Sequence, residues 1–133
     1  MRNKRIIFLL FILCVVLVMA VGCRKGIPVE TYSSGVAMEQ ATLDKVKNTI
    51  MRVGSSLGWA IVPLTEGQLQ GTLNVRAHSL VVTIDYSETR YSIRYKSSIN
   101  LDYKDDKIHP QYRNWVLNLQ RHIDAEMPTA NLR

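Results

Sequence analysis

The chain has 133 residues, with 17 Lys and Arg against 11 Asp and Glu and a formal net charge of +6. Its two cysteines, Cys14 and Cys23, both fall in the first stretch of the chain, so the portion after Cys23 has no disulfide, no thiolate metal site and no cysteine nucleophile. That portion is long enough for one domain with one core and too short for two.

The N-terminal segment reads as a leader. Arg2, Lys4 and Arg5 precede a run from Ile6 to Cys23 without a charged side chain, and Arg24 and Lys25 follow it. A basic start, an apolar stretch and a small-residue exit make a secretory signal. The exit, Ala20-Val21-Gly22-Cys23, resembles the lipobox of bacterial lipoproteins, with Ala20 where Leu is usual. The resemblance implies that residues 1–22 are removed and that Cys23 carries a diacylglycerol, which holds the domain to a membrane of the cell envelope. Residue 24 is Arg rather than Asp, which by the sorting rule of such lipoproteins implies the outer membrane, facing the periplasm, if the source is Gram-negative. The alternative is an uncleaved anchor, because roughly 18 apolar residues is the lower limit for a transmembrane helix. Loss of Arg2, Lys4 and Arg5 leaves 14 basic residues against 11 acidic ones, a net charge of +3. Most of the basicity therefore belongs to targeting, and nucleic acid is not an expected partner. A mild positive excess suits a position beside anionic lipid.

Residues 23–38 are expected to be the lipidated cysteine and a flexible tether, since Gly26, Pro28, Ser33, Ser34 and Gly35 interrupt them without a sustained period. From about Glu39 the pattern turns helical: Leu43, Val46, Ile50, Val53 and Leu57 recur at steps of three and four. Gly54 weakens the last turn and Gly58 ends the helix. Trp59–Val62 is a short strand, which Pro63 places at a sheet edge or stops.

Three period-two stretches come next, around Leu69–Ala77, Leu80–Tyr86 and Tyr91–Tyr103. Such alternation buries one face of a sheet and wets the other. A two-residue turn at His78-Ser79 would pair Val75 with Val82 and Leu73 with Ile84, and would set Tyr86 opposite Gly71. A four-residue loop at Ser87–Arg90 would pair Tyr86 with Tyr91, Ile84 with Ile93 and Val82 with Tyr95. Both registers keep the apolar side chains on one face. Lys104–Lys107 reads as a turn, and Pro110 suits the first position of a second helix with Tyr112, Trp115, Val116, Leu119 and Ile123 as its stripe, ending before Pro128. The expected fold is α+β and two-layered: a four-stranded antiparallel meander with two helices on one face, in the order α-β-β-β-β-α over residues 39–127, with residues 128–133 as a C-terminal tail.

Gly58-Trp59, Arg76-Ala77-His78, the run Tyr91-x-Ile93-x-Tyr95-x-x-Ser98-x-Asn100-Leu101-x-Tyr103, then Ile108-His109 and Tyr112-x-Asn114-Trp115 together resemble a family of small uncharacterised proteobacterial lipoproteins. The resemblance covers most of the exported part and implies the anchor and an α+β domain, without a catalytic residue.

Among chemistry-bearing side chains, His78, His109 and His122 lack the i, i+4 spacing of a helical metal site, so no metal or cofactor is expected. Ser98, Asn100 and His109 form a candidate polar cluster, but no G-x-S-x-G elbow accompanies the serine. The tyrosines and Trp115 fall mostly on the apolar face and read first as core. On the wet face, Arg76 aligns with Val81 and Lys96, and Arg94 with Thr83, which gathers three cations near a single acid, Asp85. Such a face suits anionic lipid, a cell-wall polymer or an acidic envelope protein. The expected function is a non-enzymatic binding or structural module anchored at Cys23. The alternative is a small envelope hydrolase or metal-dependent enzyme using Ser98, Asn100 and His109.

Overall fold

The computed structural model describes residues 3–4, 25–36 and 38–127; the rest of the signal segment, Cys23 and the 128–133 tail lie outside the described residues. Among these residues no helix is long and apolar enough to cross a membrane. In chain order the elements are β1 (Ile27–Pro28), β2 (Tyr32–Gly35), α1 (Leu43–Ser56), β3 (Trp59–Thr65), β4 (Gln68–Val75), β5 (His78–Tyr86), β6 (Arg90–Ile99), β7 (Lys107–Ile108) and α2 (Gln111–Glu126).

The domain is α+β, as its periodicities predict, but the sheet has five strands rather than four. Its order is β2-β6-β5-β4-β3, antiparallel throughout, and β1 with β7 forms a separate two-stranded ribbon. The extra strand comes from residues expected to be tether. Without β2 the free edge of β6 would present a row of unpaired backbone groups; Tyr32 pairs there with Ile93 and Ser34 with Tyr91. The Tyr32 ring then lies 6.2 Å from that of Tyr112, and the Gln120 amide donates to the Ser33 carbonyl at 3.1 Å. The opposite edge is β3, where Pro63, which has no N–H to donate, sits at a register irregularity.

Both helices cover one face of the sheet. α1 starts at Thr42, whose hydroxyl accepts the Lys45 N–H at 3.3 Å, with Asp44 favourably placed in the first turn. Val46, Ile50 and Val53 are its buried stripe, and Gly58, at φ +87°, turns the chain out of the helix into β3 as only glycine does without strain. α2 follows Pro110, at φ −54°, and buries Tyr112, Val116, Leu119 and Ile123. These stripes meet Leu69, Leu80, Val82, Ile84, Tyr91 and Ile93 from the sheet in one core.

Two details of register differ from expectation. The β4–β5 turn is at Arg76-Ala77, not His78-Ser79: Val75 pairs with His78, Leu73 with Leu80, Gly71 with Val82 and Leu69 with Ile84. The whole strand is shifted by an even number of residues, so every side chain keeps its face. Gly71 consequently lies under Trp59 and Ile61 rather than Tyr86; a β-carbon there would be 3.3 Å from Trp59 Cε3 and 3.1 Å from Ile61 Cδ1. Between β5 and β6 the expected pairs Tyr86–Tyr91, Ile84–Ile93 and Val82–Tyr95 are present, but Val81 then pairs with Ser97. Lys96 is the additional residue of a bulge. Beyond it the alternation inverts: Ser98 pairs with buried Leu80, and Ile99, expected on the apolar face, is 62% exposed.

Candidate functional site

The bulge and the positive-φ residues beyond it shape one end of the sheet. Where β6 stops, Asn100 (φ +58°) and Asp102 (φ +52°) turn the chain, in a conformation that short polar side chains tolerate better than most. The Asn100 amide donates to the Ala77 carbonyl at 2.6 Å, and His78 Nδ1 bonds the Asn100 carbonyl at 2.7 Å. The loop after β6 is thus clamped onto the β4–β5 turn, where Arg76 is at φ +55°. The chain returns through the His109 N–H, which donates to the Leu101 carbonyl at 2.8 Å. His109 Nδ1 in turn accepts the Gln111 N–H at 3.1 Å, satisfying one of the unpaired amides that open α2.

Between the turn, the loop and the start of α2 lies a groove of about 540 Å³, lined among others by Arg76, His78, Asn100, Asp102, His109 and Trp115. The rings of His78 and Trp115 are 6.4 Å apart and tilted by 56°. The hydrogen bonds fix the role of Nδ1 in each histidine. A carbonyl only accepts, so His78 carries a proton on Nδ1. His109 accepts at Nδ1, so its proton is on Nε2. The groove therefore brings together a guanidinium, a carboxylate, two imidazoles and an indole. A second hollow of about 290 Å³ adjoins it, lined by Gly26, Lys104, Asp105 and Lys107 and by the same Asp102 and His109.

The structure divides the three cations expected on the wet face. Arg94 and Lys96 are there, but each already has a partner. Arg94 Nε donates to Asp85 Oδ2 at 2.7 Å, and that guanidinium, followed by the Gln68 amide, holds the Asp85 carboxyl below the usual carboxylate range against the opposing effect of burial. Lys96 Nζ donates to Gln70 Oε1 at 2.6 Å. Arg76 does not align with Val81 and Lys96; it belongs to the hairpin turn and the groove.

The polar cluster is also divided. Asn100 and His109 line the groove, while Ser98, turned inward by the bulge, shares a 2.9 Å hydrogen bond with the Tyr95 hydroxyl. The Asn100 amide is engaged with the backbone of the turn. His122 is on α2, its Nδ1 bonded to the Asn118 carbonyl at 2.8 Å. Among the described residues no group of three or more His, Cys, Asp or Glu is placed to hold a metal ion. Tyr91 and Tyr112 are core residues, and each hydroxyl has a partner: Tyr91 donates to Asp124 Oδ1 at 2.6 Å and Tyr112 to the Glu30 carbonyl at 2.8 Å.

Sequence reasoning singled out Arg76, Asn100 and His109 but not as one site, and it missed Asp102 and Trp115 as neighbours of His78. The available signal was local: Asn100 and Asp102 are residues suited to positive φ, just before a histidine. Only the register brings the 76–78 turn against them. The sequence matches no protein-family model and no curated protein.

Proposed function

We propose that this protein is a membrane-anchored envelope lipoprotein, held by a diacylglycerol on Cys23, that works as a non-enzymatic binding module through the groove at the Arg76–Asn100–His109 end of the sheet. The observation that carries the binding reading is that groove: Arg76, Asp102, Trp115 and two histidines whose Nδ1 atoms are held in opposite hydrogen-bonding roles converge on one concave surface. A small number of fixed polar groups beside an aromatic wall is the usual composition of a recognition site. The anchoring reading is supported by the lipobox-like exit and by the lone thiol at its end. The wet face is a weaker candidate than the groove, because Arg94 and Lys96 are already engaged by Asp85 and Gln70. The hydrolase reading has less support still, since the Ser98 hydroxyl bonds to Tyr95 rather than to a histidine, and a serine nucleophile needs a base within hydrogen-bond reach.

Two measurements test this. Mass spectrometry of the membrane-extracted protein is expected to find an acylated N-terminus at Cys23, with processing blocked in Cys23→Ser. The full lipidated protein is expected to bind isolated cell-wall material or a soluble short-chain phospholipid in a way that Trp115→Ala weakens. An unacylated chain that still begins near Met1 refutes the anchor, and a Trp115→Ala variant that binds as wild type refutes the groove.

A further inference from the structure

β1 begins at Ile27, four residues after Cys23. It is fixed to the domain: Ile27 pairs with Ile108, Pro28 with Lys107, and the Val29 N–H donates to the Asp106 carbonyl at 2.9 Å. Four residues reach at most roughly 14 Å, whereas the ten residues of β6 extend about 33 Å from one end of the sheet to the other. A lipid on Cys23 therefore brings the β1–β7 end to the bilayer and leaves the Ser87–Arg90 loop at the far end of β6.

The near end is suited to that position. Tyr103 is 46% and Ile99 62% exposed; a tyrosine with an apolar body and a polar tip belongs at a headgroup boundary. Lys25, Lys104 and Lys107 are exposed beside them, within reach of lipid phosphates. Asp102, Asp105 and Asp106 alternate with these lysines, so the end has little net charge and its contact does not require an anionic bilayer. The groove opens at this same end, since it shares Asp102 and His109 with the hollow that Gly26 lines.

We propose that the β1–β7 end of the domain rests on the phospholipid headgroup layer, and that the groove opens onto that layer and takes a phosphodiester lipid headgroup. Arg76 and the Nε2–H of His109 are the donors to the phosphate, and Trp115 flanks it. The proposal rests on the lipid-anchored reading of Cys23.

The test uses the full lipidated protein in phosphatidylethanolamine–phosphatidylcholine vesicles that carry a headgroup-linked quencher. Once Cys23 is acylated, an introduced cysteine is the only free thiol of the mature chain, so Lys104→Cys, Ile99→Cys and Glu88→Cys can each be labelled alone. Labels at 104 and 99 are expected to be quenched several-fold more than the label at 88; equal quenching, or stronger quenching at 88, overturns the orientation. For the groove, the lipidated protein is held instead in a phosphate-free detergent, where a soluble short-chain phosphatidylcholine is expected to change the Trp115 emission, isolated as the difference from Trp115→Phe, while inorganic phosphate at the same concentration does not. No response to the lipid, or an equal response to phosphate alone, overturns the headgroup assignment. A chain without acyl mass on Cys23 refutes the anchor reading and this proposal together, whereas an acylated chain with equal quenching refutes only the proposal.

Discussion

A β-carbon on Gly54 would stand 2.6 Å from Cγ1 of Ile61 and 2.8 Å from its Cδ1, so the last turn of α1 rests directly on β3. The glycine that weakens the helix by propensity is what admits the strand side chain. Gly54→Ala gains about 1 kcal/mol of helix propensity but overpacks a buried contact, at a cost of about 1–3 kcal/mol. A net loss of about 1 kcal/mol in urea unfolding is expected. In an Ile61→Ala background the same change is expected to be neutral or stabilising. Equal effects in the two backgrounds would show that this close approach has no energetic weight.

The fifth strand changes where the domain can be cut. A chain that starts at Ser34 loses β1, half of β2, the Glu30 carbonyl that accepts the Tyr112 hydroxyl and the Ser33 carbonyl that accepts the Gln120 amide. It also uncovers Tyr112 and the edge of β6. A chain that starts at Lys25 keeps all of these. The Lys25 chain is expected to unfold cooperatively, and the Ser34 chain to be less stable by several kcal/mol, since a tyrosine hydroxyl left unpaired in the core costs about 1–3 kcal/mol before the lost apolar burial is counted. Ile84→Asp in the longer chain is expected to abolish folding, because the site is fully buried and offers no partner for a charge. A cooperatively folded Ser34 chain of equal stability would demote β2 to a surface decoration.

Stability at alkaline pH depends on two tyrosines. Tyr91 and Tyr112 are both held above the ordinary phenol value of 10.0, in each case chiefly by burial. The hydrogen bond to Asp124 adds to this for Tyr91, and the nearby Tyr32 and Glu30 for Tyr112. Below pH 10 both states keep their protons and the stability is fully present. Above it the unfolded chain releases protons that the fold retains, so stability falls as pH rises, by up to about 1.4 kcal/mol per pH unit for each tyrosine. Tyr91→Phe forfeits the bond to Asp124, worth about 1–2 kcal/mol at neutral pH. Above pH 10, however, it is expected to lose stability more slowly than wild type, so that the two curves converge. Parallel curves in urea titrations between pH 8 and 11 would show that Tyr91 ionises as freely in the fold as out of it.

The helices and the central strands were legible because burial imposes periods of 3.6 and 2 on Val46–Val53, Tyr112–Ile123, Leu69–Val75 and Leu80–Tyr86. What escaped was whatever leaves those periods unchanged or lies too far apart in sequence. A shift of the β4–β5 turn from His78-Ser79 to Arg76-Ala77 moves the strand by an even step, so alternation reads the same either way. The bulge at Lys96 is hidden because Ser97 and Ser98 are equally small and polar, yet it decides that Ser98 faces inward and Ile99 outward. β2 is four residues in a Gly-, Pro- and Ser-rich stretch, and its partner lies more than fifty residues further along the chain; no local pattern announces such a pairing. The groove was hidden for the same reasons, since it exists only where the displaced turn meets the loop beyond the bulge.

Arg76 joins this structural question to the functional one. It occupies a left-handed conformation, φ +55°, in a two-residue hairpin turn, where glycine or asparagine is the ordinary choice. A left-handed non-glycine residue costs about 1–2 kcal/mol, and the greater freedom of glycine in the unfolded chain offsets about 0.5–1 kcal/mol of what a replacement would recover. Arg76→Gly is therefore expected to leave stability unchanged or to raise it by up to about 1 kcal/mol, read from the urea midpoint of the chain starting at Lys25. The same change removes the groove's guanidinium. It is expected to weaken the affinity read from the Trp115 emission response to short-chain phosphatidylcholine by about ten- to a hundredfold, in line with the loss of one charge-assisted hydrogen bond of about 1.5–3 kcal/mol. Arg76→Lys keeps the charge but not the planar fork and is expected to fall between the two. A glycine variant that is markedly less stable would mean that Arg76 holds the turn rather than a ligand. One that is stable and responds like wild type would remove Arg76 from the site.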